Sequence, residues 1–594
     1  MSTYAEGSNE SYSLKLTAYS DCDNVFLCWR TFDNGRPDQP LPGVLGFMIE
    51  RQRKDAAGKW QNSEILRNRV GFSDNPPQNG ADLSEPSSIW PFQRYDWTDH
   101  GANSGETVRY RISAVTLPAG KTAGTDTLQA FLTTDWTGPI EVTGACNDGV
   151  SAFFNRGTVM SQYVARIARM KHWTPRQIKQ HVQDLQEPLR RFLSGELRLA
   201  LLRLLDEAID NMSLSLYAAL YECDDEELID RLKKLRGRAH LVLSNGSDKS
   251  GDGNSKAAGE LSGVIDLNRR MLASKGLGHN KFAVLYDEDR QKAVKAWTGS
   301  TNWTTSGLCT QLNNGILFED ENIAAIYHKH WQTLEAAQNG FPPNLMAENN
   351  ASPYDGGNNT SIWFTRVAKP AAGQKWARDE QGLIDAVNTA KQMVLYVMFE
   401  PGGEPLQTIV QKGKDGIYVR GVVSTVTSAL EESFTLAGVD TTSKEYTTEV
   451  IQPEGVGNDF ASWIKEVTRK EFLFPNQNPG IGHAITHAKM IVIDAGTPDC
   501  RVITGSHNFS KAASQNNDEN IVMVTGNQQL AERYSVACMA TYEHYRWRAY
   551  LKEKSDAGEQ PWSHLNSSAD WQTSYLASAE RQRHLDLWCG QIAA

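Results

Sequence analysis

The sequence lacks any apolar run approaching the roughly 20 residues that a helix needs to cross a bilayer. Its first residues, Met1 to Asn9, are polar, with neither a basic stretch nor an apolar core, so they do not read as a secretory signal. Both absences favour a cytoplasmic location, with export by a route that reads no cleavable signal left open. There is also no C-x-x-C pair. The eight cysteines (Cys22, Cys28, Cys146, Cys223, Cys309, Cys500, Cys538 and Cys589) are scattered, which speaks against a zinc module and fits reduced, structural thiols. An excess of positive charge is missing too. The net charge of -11 argues against a protein that coats nucleic acid with its whole surface.

What is present fits a soluble globular chain of several units: 594 residues, 40% hydrophobic and 22% charged. Residues 12 to about 144 read as all-β. Val25–Trp29 and Gly46–Arg51 are short apolar strands, and Thr107–Val115 alternates with Val108, Tyr110, Ile112 and Ala114 on one face. An early Trp strand and a late Tyr strand in this span resemble a fibronectin type III or immunoglobulin-like sandwich. Such a module, assigned to residues 1–144, implies a protein partner or a positioning role rather than chemistry.

After Gly144 the pattern changes to alternating helices and strands. Gly195–Ile209 reads as an amphipathic helix, followed by a strand at Leu214–Leu220, a helix at Glu226–Leu235 and a strand at Ala239–Leu243. The same order recurs as a helix at Gly382–Ala390, a strand at Met393–Phe399, a helix at Pro405–Lys412 and a strand at Ile417–Val423. This internal duplication predicts two related α/β halves, at 145–345 and 346–594, joined by an Asn/Pro/Gly-rich linker from Asn339 to Asn359.

Each half carries a related signature. The second reads His487-Ala-Lys489, then four residues and Asp494, then Gly505-Ser506-His507-Asn508 and, further on, Glu519. The first reads His279-Asn-Lys281, with Tyr286 where the second has its Asp and Asp287 one residue late, then Gly299-Ser300-Thr-Asn302. Matching the Gly-Ser pairs sets Asn313 opposite Glu519. A duplicated H-x-K followed by G-S-x-N resembles the phospholipase D superfamily, over about three quarters of the chain. The resemblance implies an α/β fold of two pseudo-twofold-related halves, here preceded by the all-β sandwich, and one active site shared by His279 and His487.

The chemistry follows from the residue types. A phosphodiester is anionic, so attack on phosphorus requires cations and donors around its oxygens: Lys281, Lys489, Asn302 and Asn508, with Ser300 and Ser506 supporting. One imidazole attacks phosphorus and the other shuttles the proton, so no metal and no cofactor is required. Asp494 is expected to support the motif strand. The resemblance implies that the residue at the Glu519 position hydrogen-bonds the histidine of its own half. On that pairing Glu519 serves His487 and keeps it protonated, Asn313 serves His279, and His279 is the nucleophile. An amide in one half and a carboxylate in the other resembles the tyrosyl-DNA phosphodiesterase branch.

The substrate is less constrained. From Arg156 to Arg203 ten Lys or Arg face three Asp or Glu. Arg166, Arg169, Arg190 and Arg191 in this block are candidate phosphate contacts, which favours nucleic acid as substrate and a nuclease activity. A phospholipase D acting on phospholipid headgroups is the alternative, and an inactive binding protein working through the β-sandwich is a third reading.

Overall fold

The computed structural model describes residues 2–72, 84–246, 251–272, 276–424, 449–451, 455–456, 463, 467, 483–484, 486–559 and 564–590. Two antiparallel sheets build the N-terminal region. In one, Thr3–Ser8, Tyr12–Ser20, Val25–Asp33 and Arg36–Pro37 run in order, with Asp96–Asp99 also on Val25–Asp33. In the other, Gln129–Thr133, Thr107–Thr116, Val44–Arg53 and Glu64–Ile65 run in order, with Ile140–Glu141 also on Thr107–Thr116. The alternation read in Thr107–Thr116 holds: Val108, Tyr110, Ile112 and Ala114 are buried between the sheets together with Trp29 and Phe47. The Tyr110 hydroxyl donates to Asp99 Oδ2 at 2.8 Å, so its polar tip is satisfied in the core.

Two further sheets carry the duplication. The first has the order Val150–Phe154, Asn314–Phe318, Lys292–Gly299, Lys281–Asp287, Leu214–Leu220, Ala239–Ser244, Asp266–Arg270. The second has Thr360–Phe364, Asn520–Thr525, Arg501–Gly505, Lys489–Ile493, Met393–Met398, Tyr418–Val423, Glu449–Ile451, with Tyr354–Gly357 added at its edge. Strand for strand the two orders correspond. Each H-x-K motif leads into a central strand, Lys281–Asp287 or Lys489–Ile493, and the pairing across it is equivalent: Leu220 lies opposite Lys281 and Met398 opposite Lys489. Both central strands are apolar because both faces of a covered sheet are buried.

Three features depart from the sequence reading. The expected linker is partly structured, with a helix at Pro343–Asn350 and the edge strand Tyr354–Gly357. Pro343 occupies the first helical turn, where its missing N–H costs nothing, so a proline-rich stretch starts a helix here. The helix before strand Leu214–Leu220 extends over Pro188–Asp210 and breaks at Gly195 (φ 51°, ψ -149°). A conformation with positive φ suits glycine, and it re-aims the chain between the short helical segment that starts at Pro188 and the leucine-rich stretch. Finally, the C-terminal helices Trp571–Leu576 and Ala579–Gly590 return to the N-terminal sandwich, where Trp571 packs on Phe47 and Tyr95 and Trp588 on Phe26 and Tyr19.

Candidate active site

The two α/β halves meet along the strand ends that carry the motifs. Thr298 of the first half donates to Asn520 Oδ1 of the second at 2.7 Å, and Asn314 Nδ2 donates back to Thr504 Oγ1 at 2.7 Å. Among the described residues, backbone bonds cross the junction twice. His487 N donates to Leu312 O at 2.9 Å, and Asp518 N donates to Leu277 O at 2.8 Å. Each histidine segment is thereby laid against the segment of the other half that holds Asn313 or Glu519.

This crossing corrects the expected pairing. His279 Nδ1 lies 2.8 Å from Glu519 Oε1, and His487 Nδ1 lies 2.9 Å from Asn313 Oδ1. The carboxylate serves the first-half histidine and the amide serves the second-half one, the reverse of pairing within a half. The reason is topological: Asn313 and Glu519 follow directly on the residues whose backbone bridges to the opposite half. Both acceptors face Nδ1, which leaves each Nε2 for chemistry. The rings converge, with centroids 6.4 Å apart at a steep mutual angle of 74°.

The rest of the site is built twice. Lys281 Nζ donates to His279 O at 2.8 Å and Lys489 Nζ to His487 O at 2.5 Å. Tyr221 and Phe399, each at the end of an equivalent strand, place a ring 4.9 Å from Lys281 Nζ and from Lys489 Nζ. The same rings pack against His279 and His487 at 4.6 and 4.8 Å. These aromatics were not selected from the sequence. Their signal is positional, since both directly follow the duplicated strands Leu214–Leu220 and Met393–Met398.

Other candidates fall into place with different duties. Ser300 Oγ donates to Asn313 Oδ1 at 2.8 Å, so it orients the partner of His487. Ser506 Oγ accepts from Asn520 N at 3.0 Å and fastens the strand that follows Glu519. Asn302 Nδ2 donates to Glu222 Oε2 at 2.5 Å, bringing in a carboxylate that sequence reading passed over. Asn508 N donates to Glu519 Oε2 at 3.1 Å. Asp494 accepts from the backbone N–H of Lys391, Gln392 and Met393 at 2.8–2.9 Å, fixing the start of the neighbouring strand. Trp297 and Trp303 are fully buried packing residues. His507 is buried and turned away: its Nδ1 accepts from Phe509 N at 3.0 Å and its Nε2 sits 3.3 Å from Asp379 and from Ser514.

The expected phosphate track is corrected in part. Arg190 is fully buried, with Nη2 2.8 Å from Asp225 Oδ2, and is an internal cation. Arg156 pairs with Asp23 at 2.7 Å and Arg198 with Glu227 at 2.6 Å, so much of the basic block neutralises acids inside the fold. A charge count over one segment does not distinguish an arginine on the solvent face of a helix from one buried against a carboxylate, which is why the sequence suggested a surface. Arg169 and Arg191 are exposed and Arg166 half-buried.

Electrostatically the site is a buried cluster of basic groups around one carboxylate, Glu519. Burial and the charge of Lys281 push His279 down to about 4, with Glu519 opposing. Burial, then Lys489 and Lys281, push His487 well below the ordinary imidazole range with no carboxylate opposing. Burial lowers Lys281 to about 7 and Lys489 strongly. Glu519, despite a burial cost that favours its neutral form, is held at about 2 by His279. Four basic groups buried together are thus held toward their neutral forms, and an anion entering between them would favour their protonated forms.

The family model described as "Cardiolipin synthase, PLD-like domain" matches residues 201–334 and 383–537, one segment in each half. The two α/β halves that carry these segments belong to the phospholipase D superfamily. The phospholipase D-like segments span both central strands and every residue named in the paired site. No curated protein matches the chain. Among solved structures it is similar to phosphatidylserine synthase from Haemophilus influenzae Rd KW20, at 12% identity, covering 60% of this chain and 90% of that one, with a TM-score of 0.36. It is similar to yeast tyrosyl-DNA phosphodiesterase at 10% identity, covering 54% and 84%, with a TM-score of 0.28. Polyphosphate kinase from Porphyromonas gingivalis is similar at 11% identity with a TM-score of 0.35, over 55% of this chain and only 45% of that one. Among the described residues no helix is long and apolar enough to cross a membrane.

Proposed function

We propose that this chain is a metal-independent phosphodiesterase that works through a phosphohistidine on His279, with nucleic acid as its substrate. The observation that carries the reading is the convergence of two imidazoles at 6.4 Å, each oriented through Nδ1 and each beside a buried lysine. Residues 1–144 would form a separate positioning module, with the two halves divided near residue 345.

The roles follow from the crossed pairing. His279 attacks phosphorus through Nε2, and positive charge builds on its ring. Glu519, held ionised at 2.8 Å from Nδ1, stabilises that charge as the bond forms. His487 has the neutral Asn313 at Nδ1 and no carboxylate opposing its deprotonation, so it releases a proton readily. An arriving phosphodiester brings negative charge into the site, raises the affinity of His487 for its proton and neutralises Lys281 and Lys489. The P–O bond to the leaving group then breaks as His487 protonates that oxygen. In the second step His487 takes a proton from water, the water oxygen attacks phosphorus, and the bond to His279 breaks. The nucleophile is the one expected from sequence, but for the opposite reason: the carboxylate serves the attacking ring.

Exposed Arg169 and Arg191, together with exposed Lys171, Arg176 and Lys179 on the helices before strand Leu214–Leu220, support a polyanionic substrate. A phospholipid is the second reading, favoured by the exposed Met170 and Tyr163 beside the same cations, a pattern suited to a lipid surface. Incubation with single-stranded DNA, duplex DNA, RNA and mixed phospholipid vesicles, all in EDTA, separates the two. Release of nucleotides in EDTA is expected. Release of headgroup alone would favour the lipid reading, and activity restored only by a divalent ion would refute the mechanism.

A further inference from the structure

The C-terminal helix Ala579–Gly590 lies across the seam between the sandwich and the second α/β sheet. Toward the sandwich, Trp588 packs 4.9 Å from the Phe26 ring and 5.1 Å from the Tyr19 ring, and Asp586 pairs with Arg30 at 2.5 Å. Toward the second sheet, Glu580 pairs with Arg420 at 2.5 Å and His584 Nδ1 lies 2.9 Å from the Tyr418 hydroxyl. Arg420 and Tyr418 belong to the strand Tyr418–Val423, two places from the motif strand Lys489–Ile493. The last turn of this helix sets Cys589 Sγ 3.1 Å from Cys28 Sγ, in the middle of strand Val25–Asp33. Cys28 is fully buried, whereas Cys589 is partly exposed.

We propose that Cys28 and Cys589 form a redox modification site that a small disulfide oxidant converts into an intramolecular cross-link, bolting the C-terminal helix to the sandwich. The two sulfurs are already in contact, so closure to a covalent bond requires a movement of only about 1 Å. Burial holds the Cys28 thiol well above its ordinary range, so the partly exposed Cys589 meets the oxidant first. Cys589, as thiolate, attacks one sulfur of the oxidant R–S–S–R. That S–S bond breaks and RS⁻ leaves, giving a mixed disulfide on Cys589. Cys28 then loses its proton and attacks the Cys589 sulfur, expelling the second RS⁻. Two protein thiols are oxidised by two electrons and one R–S–S–R is reduced to two thiols. The cross-link ties residue 28 to residue 589 and so closes almost the entire chain into a loop. The oxidised form fixes the helix covalently to the sandwich, while Glu580 and His584 keep its contacts with the second sheet.

The test treats the full-length protein with oxidised glutathione, quenches with acid and an alkylating agent, and maps peptides without reduction. A linked pair carrying Cys28 and Cys589, two hydrogens lighter than the separate peptides, is expected. Titratable thiols should fall from eight to six, and the Tm should rise relative to the reduced protein. The variant C589S, at a partly exposed position, should keep the Tm of the reduced wild type and lose both the linked pair and the oxidation-dependent rise. A stable glutathione adduct on Cys589 with Cys28 still alkylatable, or no change at either cysteine, would overturn the proposal.

Discussion

The two α/β halves match strand for strand, yet at one equivalent position they hold an amide and a carboxylate, Asn313 and Glu519. Because the halves exchange partners across their junction, each of these residues acts on the other half's histidine. A duplicated fold has thus been given two unequal imidazoles: one able to carry positive charge, one inclined to shed it. Symmetry of the scaffold supplies convergence, and in the proposed mechanism a single residue difference supplies the division of labour.

The largest effect should come from removing either ring. His279→Ala and His487→Ala are each expected to lower turnover by roughly 10²–10⁴-fold, the scale of an acid–base group. Near-full activity in either would dissolve the shared site. The halves also differ in the helices between strands Val150–Phe154 and Leu214–Leu220. There Arg190→Ala should cost about 3–5 kcal/mol of stability by stranding buried Asp225, read by denaturant unfolding. A loss of substrate affinity with stability unchanged would restore Arg190 to a surface role.

The crossed pairing itself is tested by Glu519→Gln against Asn313→Ala. Glu519→Gln should reduce the rate about 10–100-fold and Asn313→Ala less, because a charge-assisted partner is worth more than a neutral one. The pH dependence carries a sign. A nucleophile must be neutral, so the acidic limb of kcat/KM reports protonation of His279 in the free enzyme. Glu519 raises the pKa of that ring, so its removal should move the acidic limb to lower pH. Pairing within each half would leave that limb in place. The smallest effect belongs to the exposed Arg191. Its reversal to Glu should flatten the slope of log K against log salt for nucleic acid by about 0.7–0.9 if it contacts one phosphate.

Much of this was legible in the sequence. The strand–helix–strand order written twice foretold two equivalent sheets, and strands such as Leu214–Leu220 and helices such as Glu226–Leu235 fall where their periodicity set them. The motif residues His279, Lys281, His487 and Lys489 come together as the resemblance to the phospholipase D superfamily implied. The partner of each histidine was not legible, because it depends on how the halves dock, which no local pattern encodes. Arg190 was misread for a related reason: Asp225, its partner, is far along the chain, and a charge count over one segment cannot see it. Tyr221 and Phe399 were missed because an aromatic after an apolar strand reads as core until the lysine opposite it is placed.

The most direct test of the unequal histidines is to trap the covalent intermediate. Enzyme mixed with a phosphodiester substrate and quenched in alkali, where phosphohistidine survives, should yield phosphate on the peptide containing His279. Phosphate on the peptide containing His487 would contradict the assignment of nucleophile to the ring that Glu519 supports.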